Sequence, residues 1–309
     1  MKELFTFLGC SKQAFHQKLN RQLLHRERNL LLLPIIAQLR AEHPGVAARQ
    51  LYVILRPAGI GRDKFEQLCF EHGLKLPVKR SPFKTTNSRG VMRFPNLLCG
   101  AELTDANQAW ASDITYYLMG KEVFYLTFII DVVTRVIVGF AVSKELLTKA
   151  TTIPALLMAI DAYRPNRGVI FHSDAGGQYY SQEFLKITHR HGFKNSMCDM
   201  AYENAYAERI NGTIKNQYLK GYAPQDFSTL LAATQRAVKN YNHVRPHRSL
   251  KNQSPKVHEN QLPAGGSSLQ HDNFCSSSNN VQQKVEKSSC RKEVIFASLK
   301  TSQKKVNVF

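Results

Sequence analysis

Close cysteine pairs are missing from this chain. Its six cysteines stand at positions 10, 69, 99, 198, 275 and 290, with no CxxC among them. That scatter excludes a cysteine-pair zinc site. In 309 residues it makes no disulfide framework, so reduced thiols in a cytosolic setting are expected. Long apolar runs are missing too. The most apolar stretch, 124–142, is interrupted by Asp131 and Arg135, and reads as paired strands rather than a membrane span. The opening Met1-Lys2-Glu3-Leu4 leads into no long apolar region of the secretory kind, and no membrane partner is expected. Acidic residues are scarce, with 23 Asp and Glu against 42 Lys and Arg. The resulting charge of +19 and pI near 9.8 call for a polyanionic partner. A 43% hydrophobic content supplies a core and excludes global disorder.

The charge is unevenly spread. Residues 1–105 carry +9, 106–200 carry +1, 201–257 carry +6 and the remainder +3. A near-neutral middle between basic flanks fits a catalytic core whose own carboxylates offset its charge, with flanks that grip phosphates. Residues 1–76 read as helical. Ser11 caps a short helix, Leu23–Arg40 is a leucine-rich helix with Pro34 as a bend point, and 47–55 is a third. Gly59-Ile60-Gly61 then leads into a helix from Arg62 to His72, closed by Gly73. Helix, glycine turn and basic helix outline a helix-turn-helix-like DNA-binding module, with Arg62 and Lys64 as DNA contacts. A plain helical bundle with a basic surface is the competing reading.

Residues 77–108, rich in Pro, Lys, Arg, Ser and Asn, read as a basic linker that follows nucleic acid through Lys79 and Arg80. The pattern changes in 109–257. Strands at 110–118, 123–130 and 136–142 form a meander with turns at Gly120-Lys121 and Asp131–Arg135. A helix over 147–163, limited by Pro154, precedes a buried strand at 168–173. Ser181 caps a helix to His191, where His189 and His191 read as surface residues. A strand at 193–197 follows, then helices over 204–219 and 227–241. The fold class is α/β, a mixed sheet with flanking helices. The Ser-, Asn-, Gln- and Lys-rich 258–309 read as a disordered tail, with 293–299 alone able to form a short element.

Three carboxylates stand where such a sheet can gather them. Asp113 lies in the first strand. Asp174 lies where the buried strand stops, before Ala175-Gly176-Gly177, and strand ends of this kind are where open α/β sheets hold ligands. Glu208 lies in a helix, sharing a polar face with Asn204, Asn211 and Lys215, while Ala207, Ile210 and Ile214 make the apolar face. Glu203 is five residues earlier, about 140° round the helix, and sits where a carboxylate caps free N–H groups. Taken singly, each acid reads more readily as a solvated surface group. Asp131 reads as a turn residue with Thr134 and Arg135. His172 reads as packing rather than a base, and Tyr241, Arg245 and His247 as packing and phosphate contacts.

The words around these acids resemble the insertion-sequence transposases of orfB type, whose catalytic core is similar to retroviral integrase. The matching pieces are Trp110-Ala-Ser-Asp-Ile-Thr-Tyr116, Ile130-Asp-Val-Val-Thr-Arg135 with Gly139, and His172-Ser-Asp-Ala-Gly-Gly-Gln-Tyr179. Glu203-Asn-Ala-Tyr-Ala-Glu208 with Asn211-Gly-Thr-Ile-Lys215 follows, then Tyr241-Asn-His-Val-Arg-Pro-His247 with Ser249-Leu250 and Ser254-Pro255. They occur in family order across residues 40–257. The Asp174-to-Glu208 spacing is slightly shorter than the family's usual one, the shortfall falling in 197–202, and Glu203 stands where the family commonly has aspartate.

The resemblance implies a ribonuclease-H-like fold and a catalytic, metal-binding triad of Asp113, Asp174 and Glu208. It implies Mg²⁺ or Mn²⁺, two ions about 3.5–4 Å apart in such chemistry. It implies metal-dependent end cleavage and strand transfer, in which water exposes a 3′-OH that attacks another strand. DNA contacts are expected from Arg209, Lys215 and Arg245. The expected partners are DNA (terminal inverted repeats and target) and further copies of the chain, together with a separate helix-turn-helix subunit encoded upstream. The expected setting is the bacterial cytoplasm, at the nucleoid. The competing functions are a catalytically inactive DNA-binding regulator and a ribonuclease-H-like nuclease.

Overall fold

The computed structural model describes residues 11–74, 94–174, 176–198 and 204–262, and the single positions 5, 9 and 76. Lys79, Arg80, Glu203 and the 263–309 tail lie outside the described residues.

Helix α1 spans Lys12–Glu42, and Ser11 caps it by accepting from the Ala14 amide at 3.1 Å. It is one helix of 31 residues where the sequence reads as two. No Gly or Pro stands between Ser11 and Pro34, so nothing stops the first turns from propagating, and the helix carries on through Pro34. Helices α2 (Ala48–Leu55) and α3 (Arg62–Glu71) follow, with Gly73 left-handed after α3 as expected. Residues 94–108, read as linker, lie against the core instead. The Ser196 hydroxyl accepts from the Leu97 amide at 2.8 Å, and Asn107 anchors Trp110 Nε1 at 3.0 Å.

Strands β1 (Ala109–Met119), β2 (Glu122–Asp131) and β3 (Ile137–Ser143) form the meander, and β4 (Ile170–Ser173) and β5 (Lys194–Met197) complete the sheet. The order is β3-β2-β1-β4-β5, antiparallel on the β2 side of β1 and parallel on the β4 side. Helix α4 (Thr152–Tyr163) links β3 to β4 and α5 (Gln182–Arg190) links β4 to β5. Helix α4 begins five residues later than its apolar pattern, because 147–151 turn on their own and Pro154 sits in the first helical turn, where it costs no hydrogen bond. Gly139 lets α4 press onto β3, for a Cβ there would run into the Ala155 carbonyl.

Strand alternation sorts the sheet into two faces. Trp110, Ile129, Val138 and Phe171 pack with α4 and α5. Ala109, Ala111, Phe124, Phe128 and Ile130 pack on the other face against α6 (Ala205–Thr213) and α7 (Phe227–His243). Between those helices the chain widens into a π-helical segment, Ile214–Leu219, ending in a short turn at Lys220–Tyr222. The capping box at Asp226 and Thr229 starts α7.

The N-terminal helices share the core of that second face: Ile36, Val46, Leu51 and Phe65 cluster with Tyr218, Leu230 and Tyr241. The joint is close and polar as well. Gly45 N donates to Gln217 O at 2.7 Å, His43 Nδ1 lies 3.3 Å from Tyr218 OH, and Arg236 pairs with Glu42 at 2.7 Å. Helix α8 (Pro255–Glu259) carries the folded chain past residue 257, where the composition places the tail. Its Lys256 sits 4.7 Å from the Tyr163 ring centre. Among the described residues no helix is long and apolar enough to cross a membrane.

Candidate active site

Strand register brings two of the three acids together. Ala111 pairs with His172 in parallel, so Asp113, two residues further along β1, lies beside the end of β4, from which Asp174 emerges. Both have the parity of Ala111, which faces α6. The acid-bearing helix runs along the same edge. Asn204 Nδ2 donates to Ser112 O at 2.9 Å, Asn211 Nδ2 to Asp113 Oδ2 at 2.8 Å, and Lys215 Nζ to Thr115 Oγ1 at 2.5 Å and Tyr116 O at 3.2 Å. The polar face read from helical spacing therefore lies along β1. Glu208 occupies it between Asn204 and Asn211, and its side is open to solvent.

The electrostatics agree with that gathering. Asp113 is pushed from 3.8 up to about 7, first by burial, then by the charges of Asp174 and Glu208, against the pull of Asn211. Burial raises Asp174 too, while its Oδ1 accepts from Gly176 N at 3.1 Å. A Cβ at 176 would come within 2.9 Å of that oxygen, so a larger residue there would displace the carboxylate. Tyr179, buried on the opposite face, props the floor: its hydroxyl lies 2.9 Å from Ser112 Oγ, which donates to Phe128 O at 3.0 Å. Sequence reasoning misses this support, although Tyr179 closes the 172–179 word. A hollow of about 220 Å³ beside Asp174 is lined by Ile114, Thr115, Tyr116, Gln178 and others.

A divalent cation fits this donor set in kind. The oxygens are hard, and half-buried carboxylates that repel each other are relieved by positive charge. Among the described residues, no three Asp, Glu, His or Cys side chains stand close enough as placed to enclose an ion. Lys215, half-buried and with its pKa lowered by burial, lies within the field of Asp113 and 5.1 Å from the Tyr116 ring centre. Its bonds to β1 make it a brace for the helix.

The other expected contacts scatter. Arg62 and Lys64 are exposed on α3, and Arg62 pairs with Asp63 at 2.8 Å. Arg209 is exposed on α6. Arg245 is turned inward, donating to Gln217 Oε1 at 3.1 Å. Asp131 is the turn residue expected, accepting from Val133 N, Thr134 N and Thr134 Oγ1 on one oxygen and from Asn107 N on the other. His172 packs inside with Nδ1 2.9 Å from Ser196 Oγ.

Comparison with known proteins places these features in a family. A family described as the integrase core domain matches residues 104–202, and a second of the same description matches 193–255. The insertion element IS600 uncharacterized 31 kDa protein of Shigella sonnei is 36% identical over 214 residues, covering 67% of this chain and 78% of that one. The transposase for insertion sequence element IS904 of Lactococcus lactis is 29% identical over 255 residues, covering 79% and 98%. Among solved structures, the HTLV-2 integrase catalytic core domain in complex with magnesium (trimeric form) aligns at a TM-score of 0.43 and 23% identity. It covers 50% of this chain and 97% of that one.

Proposed function

We propose, for a chain that belongs to the insertion-sequence transposases with an integrase-like core, that Asp113, Asp174 and Glu208 are the catalytic and metal-binding residues of its DNA transposase activity. The enzyme is a polynucleotidyl transferase. The single observation that supports the assignment is the Asn211 bond to the Asp113 carboxylate, which brings the helix of Glu208 to the strand edge where Asp113 stands beside the end of β4 that bears Asp174. Asp113, with its raised proton affinity, is held in readiness for positive charge.

An integrase-like core works with divalent metal, and we assign two Mg²⁺ or Mn²⁺ ions to the three carboxylates. When bound, they supply Lewis-acid stabilisation of the nucleophile and leaving oxygen. The chain's own residues do the positioning. Asn211 fixes the Asp113 carboxylate, Gly176 N fixes that of Asp174, and the Asn204 and Lys215 bonds to β1 hold Glu208 at the same edge. The substrates are the element's terminal inverted repeats and target DNA, in the bacterial cytoplasm at the nucleoid. Two ends must be joined, which calls for a homo-oligomer, and an upstream-encoded helix-turn-helix subunit is a candidate partner. Arg62 and Lys64 on α3, with Lys79 and Arg80 in the basic segment, contact DNA.

The test is cleavage and strand transfer on an end-labelled duplex carrying the terminal repeat. Asp113→Asn, Asp174→Asn and Glu208→Gln should each lose activity on the order of a thousandfold, the scale of several kcal/mol of transition-state stabilisation, while DNA binding persists. Full activity in any of the three removes that residue from the site.

A further inference from the structure

Three arginines from three separate elements lie near enough to one aromatic pair for their charges to act on it. Arg135 comes from the β2–β3 turn, Arg209 from α6 and Arg245 from the segment after α7. Tyr241 is buried and meets the His247 ring edge-on at 4.8 Å. Arg245 lies over Tyr241 at 5.8 Å, with Nη1 3.2 Å from His247 Nε2. Arg135 lies over the Tyr206 ring at 4.1 Å. All three positive charges act on both Tyr241 and His247. Among the described residues, none of the three forms an ion pair with a carboxylate.

Two observations set this cluster apart from an ordinary basic surface. First, Arg135 Nη1 is buried with no hydrogen-bond partner among the described residues, and a charged donor left so is costly unless a further group completes it. Second, Arg135 adopts the left-handed backbone, φ 65°, where glycine or asparagine would sit with less strain. The turn is already secured by Asp131, so what an arginine adds there is its guanidinium. His247 completes the arrangement. Burial first, then the three arginines, holds it down at about 3, so it is neutral and its Nε2 accepts from Arg245.

Guanidinium groups without a carboxylate partner retain full positive charge, which the oxygens of a phosphate match. We propose that Arg135, Arg209 and Arg245 form a cradle for one phosphodiester group of the DNA backbone, distinct from the catalytic carboxylates. The proposal rests on the transposase reading and adds to it a specific contact, with Arg135 at its centre. Arg209 follows Glu208 about 100° round α6, so the gripped phosphate flanks the reacting one and sets the strand's approach to it.

The experiment uses the full chain and a fluorescein-labelled duplex of arbitrary sequence, with affinity followed by anisotropy across a salt series. Losing one phosphate contact lowers the slope of log affinity against log salt by about 0.9, which is about an eightfold loss near 0.1 M NaCl. That change is expected for Arg135→Ala and for the exposed Arg209→Ala, whereas Arg190→Ala on α5 should leave the slope alone. Arg135→Lys should recover only part of the loss, since it keeps the charge and loses the fork. Thermal melting checks folding, and Arg209→Ala carries the test if Arg135→Ala unfolds. Unchanged slopes in folded Arg209→Ala and Arg135→Lys, with the parent still binding steeply, overturn the cradle and leave the transposase reading standing. A parent that binds no duplex overturns both. Equal displacement of duplex from parent and variants by inorganic phosphate at constant ionic strength would also overturn it, and weaker displacement from the variants supports it.

Discussion

In EDTA, Asp113→Asn should make the protein more stable above pH 7 and change little near pH 4. The carboxyl ordinarily titrates at 3.8 and is held at about 7 in the fold. Three pH units at about 1.36 kcal/mol each amount to roughly 4 kcal/mol of cost for the ionised group. A raised value means that the folded chain holds the proton more tightly than the unfolded chain. Below 3.8 both states carry it and no cost arises. As pH rises towards 7 the unfolded chain releases it first, so stability falls through that window and then levels. Asparagine keeps the shape and an oxygen to accept from Asn211, and removes the charge that Asp174 and Glu208 oppose. At about 2–4 °C per kcal/mol for a domain of this size, melting followed by circular dichroism should show a gap of several degrees at pH 8 that closes towards pH 4. Mg²⁺ should narrow the gap by stabilising the parent alone. A gap that is flat between pH 5 and 8, or a variant less stable at pH 8, would refute the reasoning.

Glu203→Gln should cost about 1 kcal/mol, on the scale of a lost cap, and keep substantial activity, whereas Glu208→Gln should be inert in both Mg²⁺ and Mn²⁺. An inert Glu203→Gln beside an active Glu208→Gln would move the third carboxylate. Truncation after Leu262 should leave the melting midpoint nearly unchanged. Truncation after Ser254, which removes Lys256 from Tyr163, should lower it, and equal midpoints would show that α8 adds nothing. The fragment 1–76 should melt without a sharp transition, because Ile36, Leu51 and Phe65 lose the faces they pack against. A cooperative calorimetric peak would count against that shared core.

Periodicity made the sheet and the site legible for one reason: both depend on local spacing. Alternation in 110–142 marks the meander, and the i−4, i+3 and i+7 partners of Glu208 mark the face that lies on β1. What escaped is set by contacts distant in sequence. Helical spacing puts Lys215 on the polar face of α6 without saying what it reaches, and a long basic side chain can bury its stem and bond inward, as Lys215 does to Thr115. A basic N-terminal segment reads as a separate module because nothing within it names Gln217 or Tyr218 as its neighbours. No residue type demands the widened turn at 214–219, so the sequence shows one long helix there.

That widened turn has a consequence for how chains of this kind can vary in length. A π-helical stretch holds more residues per turn than an α-helix, so it acts as an insertion absorbed without breaking the helix. Removing a single residue between Ile214 and Leu219 would let the segment tighten to α geometry while Asn204, Glu208 and Asn211 keep their phase against β1. A residue added or lost within α6 itself, between Asn204 and Asn211, has no such slack and would turn one of these side chains about 100° off the strand. The triad is thus tolerant of length changes on one side of Ile214 and intolerant of them on the other.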